Sequence, residues 1–226
     1  MDHRLLYSVL LLLIASVCLL SCSTEENIQP ESSNYDYAAL SSDAEWIYEV
    51  DSVVYNDFSL PVSVDTFHYY VKHKVEGLEK LGNGSLSYKV LRFLRNDTIS
   101  NWALDRAFTL RINANELVKT DHNLPLVSMV FPAKEGKEWN GNAFNTLPEQ
   151  TFKYQNVEQP AHIGKRKYRN TVEVVQQQRK NLLEDQLVLL QYAAGVGMIR
   201  KHERFLKTSF EGQIKSGYLV EYTLLY

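Results

Sequence analysis

The sequence predicts a mainly β fold, a single domain of antiparallel strands. Three observations predict it. Side chains alternate with a period close to two along most of the chain, turn-forming residues interrupt that alternation, and no long helical period runs through the body. Tyr, Val, Thr and Phe, which strands favour, are abundant.

In chain order, the first alternation sets Trp46, Tyr48 and Val50 against Ile47, Glu49 and Asp51. The next sets Phe67, Tyr69, Val71, His73 and Val75 against His68, Tyr70, Lys72 and Lys74. Tyr88, Val90 and Arg92 then face away from Lys89, Leu91 and Phe93. Near the far end, Tyr218, Val220, Tyr222 and Leu224 alternate with Leu219, Glu221 and Thr223. Each is the pattern of a strand with one wet face, because successive side chains point to opposite sides.

Gly82-Asn83-Gly84-Ser85 is expected to turn a hairpin after Leu81, since these residues accept positive backbone angles. Asn140-Gly141 and Lys215-Ser216-Gly217 are expected to turn likewise, and Pro132 and Pro148 bracket an irregular stretch. Residues 181–194 are ambiguous, because Leu182, Leu183, Leu187 and Leu190 could stripe a helix. The strand reading is preferred: Leu187-Val188-Leu189-Leu190 pairs back on Thr171-Val172-Glu173-Val174-Val175 across a bend at Arg179-Lys180-Asn181.

Ahead of this body the chain divides into zones. Asp2, His3 and Arg4 make a short polar start, Leu5 to Leu20 is apolar apart from Tyr7, Ser8 and Ser16, and polarity returns at Ser21. A membrane-spanning helix needs about 20 apolar residues, and this run is shorter. It suits the apolar region of a secretory signal, at the long edge of that range. Leu19-Leu20-Ser21-Cys22 resembles the lipobox of bacterial lipoproteins, with an aliphatic residue three before the cysteine and a small one just before it. The resemblance implies cleavage between Ser21 and Cys22, a diacylglycerol on the Cys22 thiol, and acylation of the new amine. Two or more acyl chains anchor stably where one binds only marginally. Cys18 fits worse, because bulky Val17 precedes it. An ordinary signal peptide, or an uncleaved anchor helix with a chance cysteine, is the alternative. The expected organisation is a signal over 1–21, an acylated cysteine with a flexible Ser-, Asn- and Glu-containing tether over 22–42, and a β-rich domain over 43–226.

Cys18 and Cys22 are the only cysteines of the 226 residues. After the expected cleavage one remains, blocked by lipid, which excludes a disulfide, thiolate metal sites and a thiol nucleophile. The formal net charge is −3, with no basic domain to suggest nucleic acid. The runs Lys165-Arg166-Lys167-Tyr168-Arg169 and Arg200-Lys201-His202-Glu203-Arg204 are expected to be solvated turns.

Two blocks carry a further resemblance. Val130-Phe131-Pro132 leads to Gly136-Lys137-Glu138-Trp139-Asn140-Gly141-Asn142, and later comes Tyr192-Ala193-Ala194-Gly195-Val196-Gly197-Met198-Ile199-Arg200-Lys201. Together they resemble a group of uncharacterised Bacteroidota lipoproteins and, more distantly, the DUF3108/TapB-like envelope proteins. Ala194 stands where that pattern commonly has proline. The resemblance implies a curved antiparallel sheet, a half-barrel or open barrel of the lipoprotein-carrier type, and says nothing of activity. From the residues alone, Gly195 and Gly197 permit a sharp turn into a strand, and Trp139 beside Gly141 reads as a core or rim aromatic. Gly195-Val196-Gly197 lacks the third glycine and following helix of a dinucleotide site.

No catalytic, cofactor or metal residue is expected. No Gly-x-Ser-x-Gly elbow occurs. His68 and His73 are five apart, so a strand would send them to opposite faces, and His122, His162 and His202 stand alone. Asn113-Ala114-Asn115-Glu116 is a faint echo of a calcium loop. Acids such as Asp51, Asp65, Asp105, Glu173 and Glu203 cannot be paired by sequence. The functional expectation is a lipid-anchored lipoprotein of the cell envelope, in the outer membrane. It would be a non-enzymatic module that binds an apolar ligand or another envelope protein and contacts the membrane through Cys22. The alternative is a surface glycan-binding or glycan-degrading accessory protein that stacks sugars on Trp46, Trp102 and Trp139.

Overall fold

The computed structural model describes residues 35–58, 61–113 and 115–225. The signal segment, Ser21, Cys22 and most of the expected tether lie outside the described residues. The described strands are β1 (Glu45–Asn56), β2 (Ser63–Lys80), β3 (Leu86–Arg95), β4 (Ala103–Ile112), β5 (Glu116–Asp121), β6 (Leu124–Val130), β7 (Glu138–Asn140), β8 (Thr151–Ile163), β9 (Arg166–Lys180), β10 (Glu184–Ala193), β11 (Gly197–Thr208) and β12 (Ile214–Leu224). They form one 12-stranded antiparallel sheet in the order β6-β5-β4-β3-β2-β1-β12-β11-β10-β9-β8-β7. The sheet curls into a nearly closed barrel. Among the described residues no helix is long and apolar enough to cross a membrane.

Alternation decides which face turns inward. Trp46, Tyr48 and Val50 are buried, as are Val71 and Val75, and Tyr88, Val90 and Arg92. Register carries that face around the wall: Val50 opposes Tyr69 and Tyr222, and His73 opposes Trp46 and Arg92. Residues 184–193 are a strand, with Leu190 opposite Val174 and Tyr192 opposite Val172. Register shifts interrupt the ladders at Val75/Gly77, Arg92/Phe93, Val188/Leu189 and Gln191/Tyr192. Such bulges bend a strand and raise its twist, which helps a wide sheet to close.

The edge strands β6 and β7 meet along a seam. Val127 N donates to Gly141 O at 2.8 Å, and the Trp139 indole N–H donates to Val127 O at 2.8 Å. The Tyr154 hydroxyl of β8 donates to Val130 O (2.9 Å) and accepts from Val130 N (3.0 Å). Asn145 Nδ2 reaches Pro125 O at 2.8 Å. Side chains thus satisfy edge groups that no continuous ladder pairs.

The turns after β1, β3, β5, β7, β9 and β11 gather at one end of the barrel, as antiparallel order requires. At the other end the residues before β1 fold under the sheet. A 3-10 turn at Tyr35–Tyr37 places Asp36 O on Gly195 N at 2.8 Å, and the Tyr37 hydroxyl donates to Asn170 Oδ1 at 2.5 Å. Tyr37 is 1% exposed. The last part of the expected tether is therefore packed, because Tyr37 and Ala38 join the core cluster and Leu40 packs on it.

Two expected turns are corrected. Lys215-Ser216-Gly217 lies inside β12, and the hairpin turns at Ser209–Gln213, closed by the Ser209 N–Gln213 O bond at 2.8 Å. Gly217 instead pairs with Tyr55 and Leu206 at a point where the strands approach closely. Its φ is 128°, and an added Cβ would fall on the Phe205 carbonyl oxygen. Asn140-Gly141 opens a longer loop running to Thr151, where Asn140 Oδ1 accepts from the backbone of Asn142 and Gln150. Gly141 is required because a Cβ would lie 2.5 Å from the buried Phe152 ring.

Ser32–Tyr226 is one compact unit that contains every described strand and both core clusters. A segment with its own complete core folds as a unit. Gly217→Ala is expected to destabilise it by at least about 2 kcal/mol, from forced positive φ plus steric overlap. Gly82→Ala, whose Cβ meets nothing within 4 Å, should stay within about 0.5 kcal/mol. Urea unfolding of both variants against the parent checks this pair.

Candidate functional site

The inner face of the barrel lines a partly open cavity of ≈ 340 Å³, within the size range of small-molecule sites. Part of its wall is apolar: Trp46, Phe108, Leu117, Leu190, Tyr192 and Met198. The rest is polar and charged, with His73, Arg92, Arg106, Lys119, Lys201 and Glu203 all lining it.

Strand register builds the charged part. Trp46, His73, Arg92 and Arg106 form a row across β1 to β4, each opposite the next. Lys119 of β5 opposes Leu110 of β4, while Lys201 of β11 opposes Tyr222 of β12 and Leu190 of β10. Asp105 falls in the bulge opposite Arg92/Phe93, so it has no cross-strand partner. Its carboxylate reaches both arginines, pairing with Arg92 and, at 3.0 Å, with Arg106. Asp121 lies 3.3 Å from Arg106 Nε and 3.4 Å from Lys119 Nζ. Glu203 lies 2.6 Å from Lys201 Nζ. Arg92 Nη2 also donates to the Tyr222 hydroxyl at 3.3 Å. Aromatic faces take part of the remaining charge, with Lys119 Nζ 4.6 Å from the Phe108 ring centre and Lys201 Nζ 5.4 Å from that of Tyr222.

Electrostatics follow from this arrangement. Lys119 keeps 36% of its side-chain surface open, and that surface belongs to the cavity wall. Burial pushes its ammonium down to about 8, Lys201 and Arg106 add repulsion, and Asp121 opposes them. His73 sits edge-on to Tyr48 and Phe108, at 5.4 and 5.1 Å between ring centres. Burial first, then Lys119, Arg92, Lys201 and Arg106, hold it well below the usual histidine range, so it is neutral at pH 7. Burial raises the Tyr48 and Tyr192 hydroxyls.

The basic run 200–204 is corrected here. It is strand β11, not a turn: Lys201 and Glu203 line the cavity, while Arg200 and His202 pair with Glu221. Period-two alternation continues through the run, and counting charges alone conceals it. Sequence reasoning also missed Arg106 and Lys119. Arg106, Phe108 and Leu110, with Leu117 and Lys119, carry the same alternation that groups Arg92 with Tyr88 and Val90.

The singled-out motif residues hold structure rather than the cavity. Trp139 and Gly141 come together at the seam, where the indole packs on Phe152 and Tyr154. Gly195 and Gly197 form the β10–β11 turn with φ of 72° and 93°, and the Trp46 indole donates to Val196 O between them at 2.7 Å. Tyr192 and Met198 from the same block do line the cavity. The three tryptophans stand apart: Trp46 lies inside, Trp139 at the seam, and Trp102 against the cations of Lys72 and Arg95. His68 pairs with Asp51 on the outer face, opposite in direction to His73. Asn113 Oδ1 accepts from the backbone of Asn115 and Glu116, which makes that segment a capped turn. Among the described residues no three His, Cys, Asp or Glu gather as metal ligands.

The barrel end opposite the 3-10 turn has apolar loop tips. Phe58 and Ile99 are 94% and 92% exposed, and Leu182 and Phe210 are also exposed.

Lys119 predicts a pH dependence. Its folded-state pKa lies below its unfolded value, so between about 8 and 10 the unfolded chain holds a proton that the folded chain lacks, and stability rises with pH. Unfolding curves at pH 8 and pH 9.5 should show this rise in the parent and its loss in Lys119→Met. No family model matches the chain, and no curated protein is significantly similar to it.

Proposed function

We propose that this chain is a lipid-anchored lipoprotein of the cell envelope whose barrel is a non-enzymatic binding module for a small apolar or amphiphilic ligand. The ≈ 340 Å³ cavity inside the barrel carries this reading. A solid core would bury its aliphatic and aromatic side chains against each other. Here Trp46, Phe108, Leu190, Tyr192 and Met198 leave one face to an interior space instead. Eight-stranded barrels hold one small ligand and sixteen-stranded ones leave a channel, so twelve strands suit a binding chamber. A ligand inside the barrel is preferred to a sugar on its surface, because Trp46, Trp102 and Trp139 share no face. The lipobox-like Leu19-Leu20-Ser21-Cys22 supports anchorage in the outer membrane through Cys22.

Native mass spectrometry of Ser32–Tyr226, produced in a bacterial envelope and purified without detergent, tests the binding reading. A bound species of a few hundred daltons, released on denaturation, is the expected result, and an exclusively ligand-free protein counts against it. The anchor has its own test in the full chain. Cys22→Ser should abolish both labelling by a palmitate analogue and membrane retention, and label persisting on the variant would refute acylation at that residue.

A further inference from the structure

We infer that the cavity takes an amphiphile bearing a single negative charge, with its carboxylate-type head among Arg92, Arg106, Lys119 and Lys201 and its apolar body along Trp46, Phe108, Leu190 and Met198. The inference rests on the binding reading above and adds the ligand's chemistry to it.

Charge balance points to an anion. The cavity wall carries four cationic side chains and one carboxylate, Glu203. Behind the wall, Asp105 and Asp121 pair with three of the cations. Four positive groups therefore meet three negative ones, and neutral His73 contributes none. Cations held away from bulk water are costly unless each is paired and hydrogen-bonded. One negative charge closes the account, a dianion overshoots it, and a cationic ligand worsens it. Lys119 and Lys201 repel one another across the space, and an anion between them relieves that repulsion. A guanidinium fork beside an ammonium matches the geometry of a carboxylate.

Volume sets the length of the body. At ≈ 340 Å³ the cavity lies at the small end of ligand sites, which suits a short-chain amphiphile. The apolar residues named above come from β1, β4, β10 and β11, whereas the cations come from β3, β4, β5 and β11. A ligand spanning both sets is necessarily amphiphilic.

Isothermal titration calorimetry of Ser32–Tyr226 with decanoate, 1-decanol and decylammonium tests the inference on the unmodified sequence. Decanoate should bind at least tenfold more tightly than 1-decanol, and decylammonium should be the weakest. In a Lys119→Met/Lys201→Met variant with an intact thermal unfolding transition, two positive groups face three negative ones, so decanoate should fall below the affinity of 1-decanol. If decanoate and 1-decanol bind equally well to the parent, the charge assignment is overturned while the binding reading stands. If none of the three binds, both fall.

Discussion

Eight register pairs between β1 and β12, from Tyr48–Leu224 to Tyr55–Gly217, join strands from opposite ends of the described chain. Every other pairing in the sheet links strands that follow one another in sequence. The chain is thus two six-stranded meanders, β1–β6 and β7–β12, and each could form from short hairpins. The β1–β12 ladder is the continuous strand pairing that joins them. Closing so long a loop costs chain entropy that local hairpins avoid. The cavity depends on that closure, because its Trp46–His73–Arg92–Arg106 row belongs to the first meander and its Leu190, Tyr192 and Lys201 to the second.

The interior shows two physical regimes. Toward the 3-10 turn, Tyr37, Tyr154, Val172 and Met129 pack with almost no exposure, as a conventional core. Among Arg92, Arg106, Lys119 and Lys201 the barrel stays open and charged. Burying those groups works against stability, and only the paired acids and aromatic faces limit the penalty. A fold that keeps such groups where Leu or Val would pack better spends stability on polarity in that one place. That contrast sets the cavity apart from the tightly packed core beside it.

Much of this was legible in the sequence, for stated reasons. Period-two alternation at 46–51, 67–75, 88–93 and 218–224 gave the strands and grouped Arg92 with Tyr88 and Val90 on one face. Leu187 and Leu190 resolved as strand residues because β9, with Val172 and Val174, waits opposite, while Leu182 and Leu183 fall in the bend before β10. The site was harder to read. Lys119, Arg106 and Lys201 look solvated when charge is counted locally, and only the register of neighbouring strands brings them into one space. The carboxylates behind them are equally unreadable, since Asp105 meets two arginines only through a bulge. Gly217 was read as a turn residue because glycine signals unusual backbone angles without saying whether a turn or a close approach of strands needs them. Tyr37 and Ala38 escaped notice inside a polar segment whose composition resembles a linker.

The seam deserves a last thought as a matter of mechanics. Around most of the wall, parting two strands means breaking a full ladder. Between β6 and β7 it means releasing the Val127–Gly141 bond and the grips of Trp139, Tyr154 and Asn145. Leu126 and Ser128 on that strand face the cavity directly. Along that seam the wall is held by a few separate bonds instead of a continuous ladder, so it is the line along which the sheet parts at least cost.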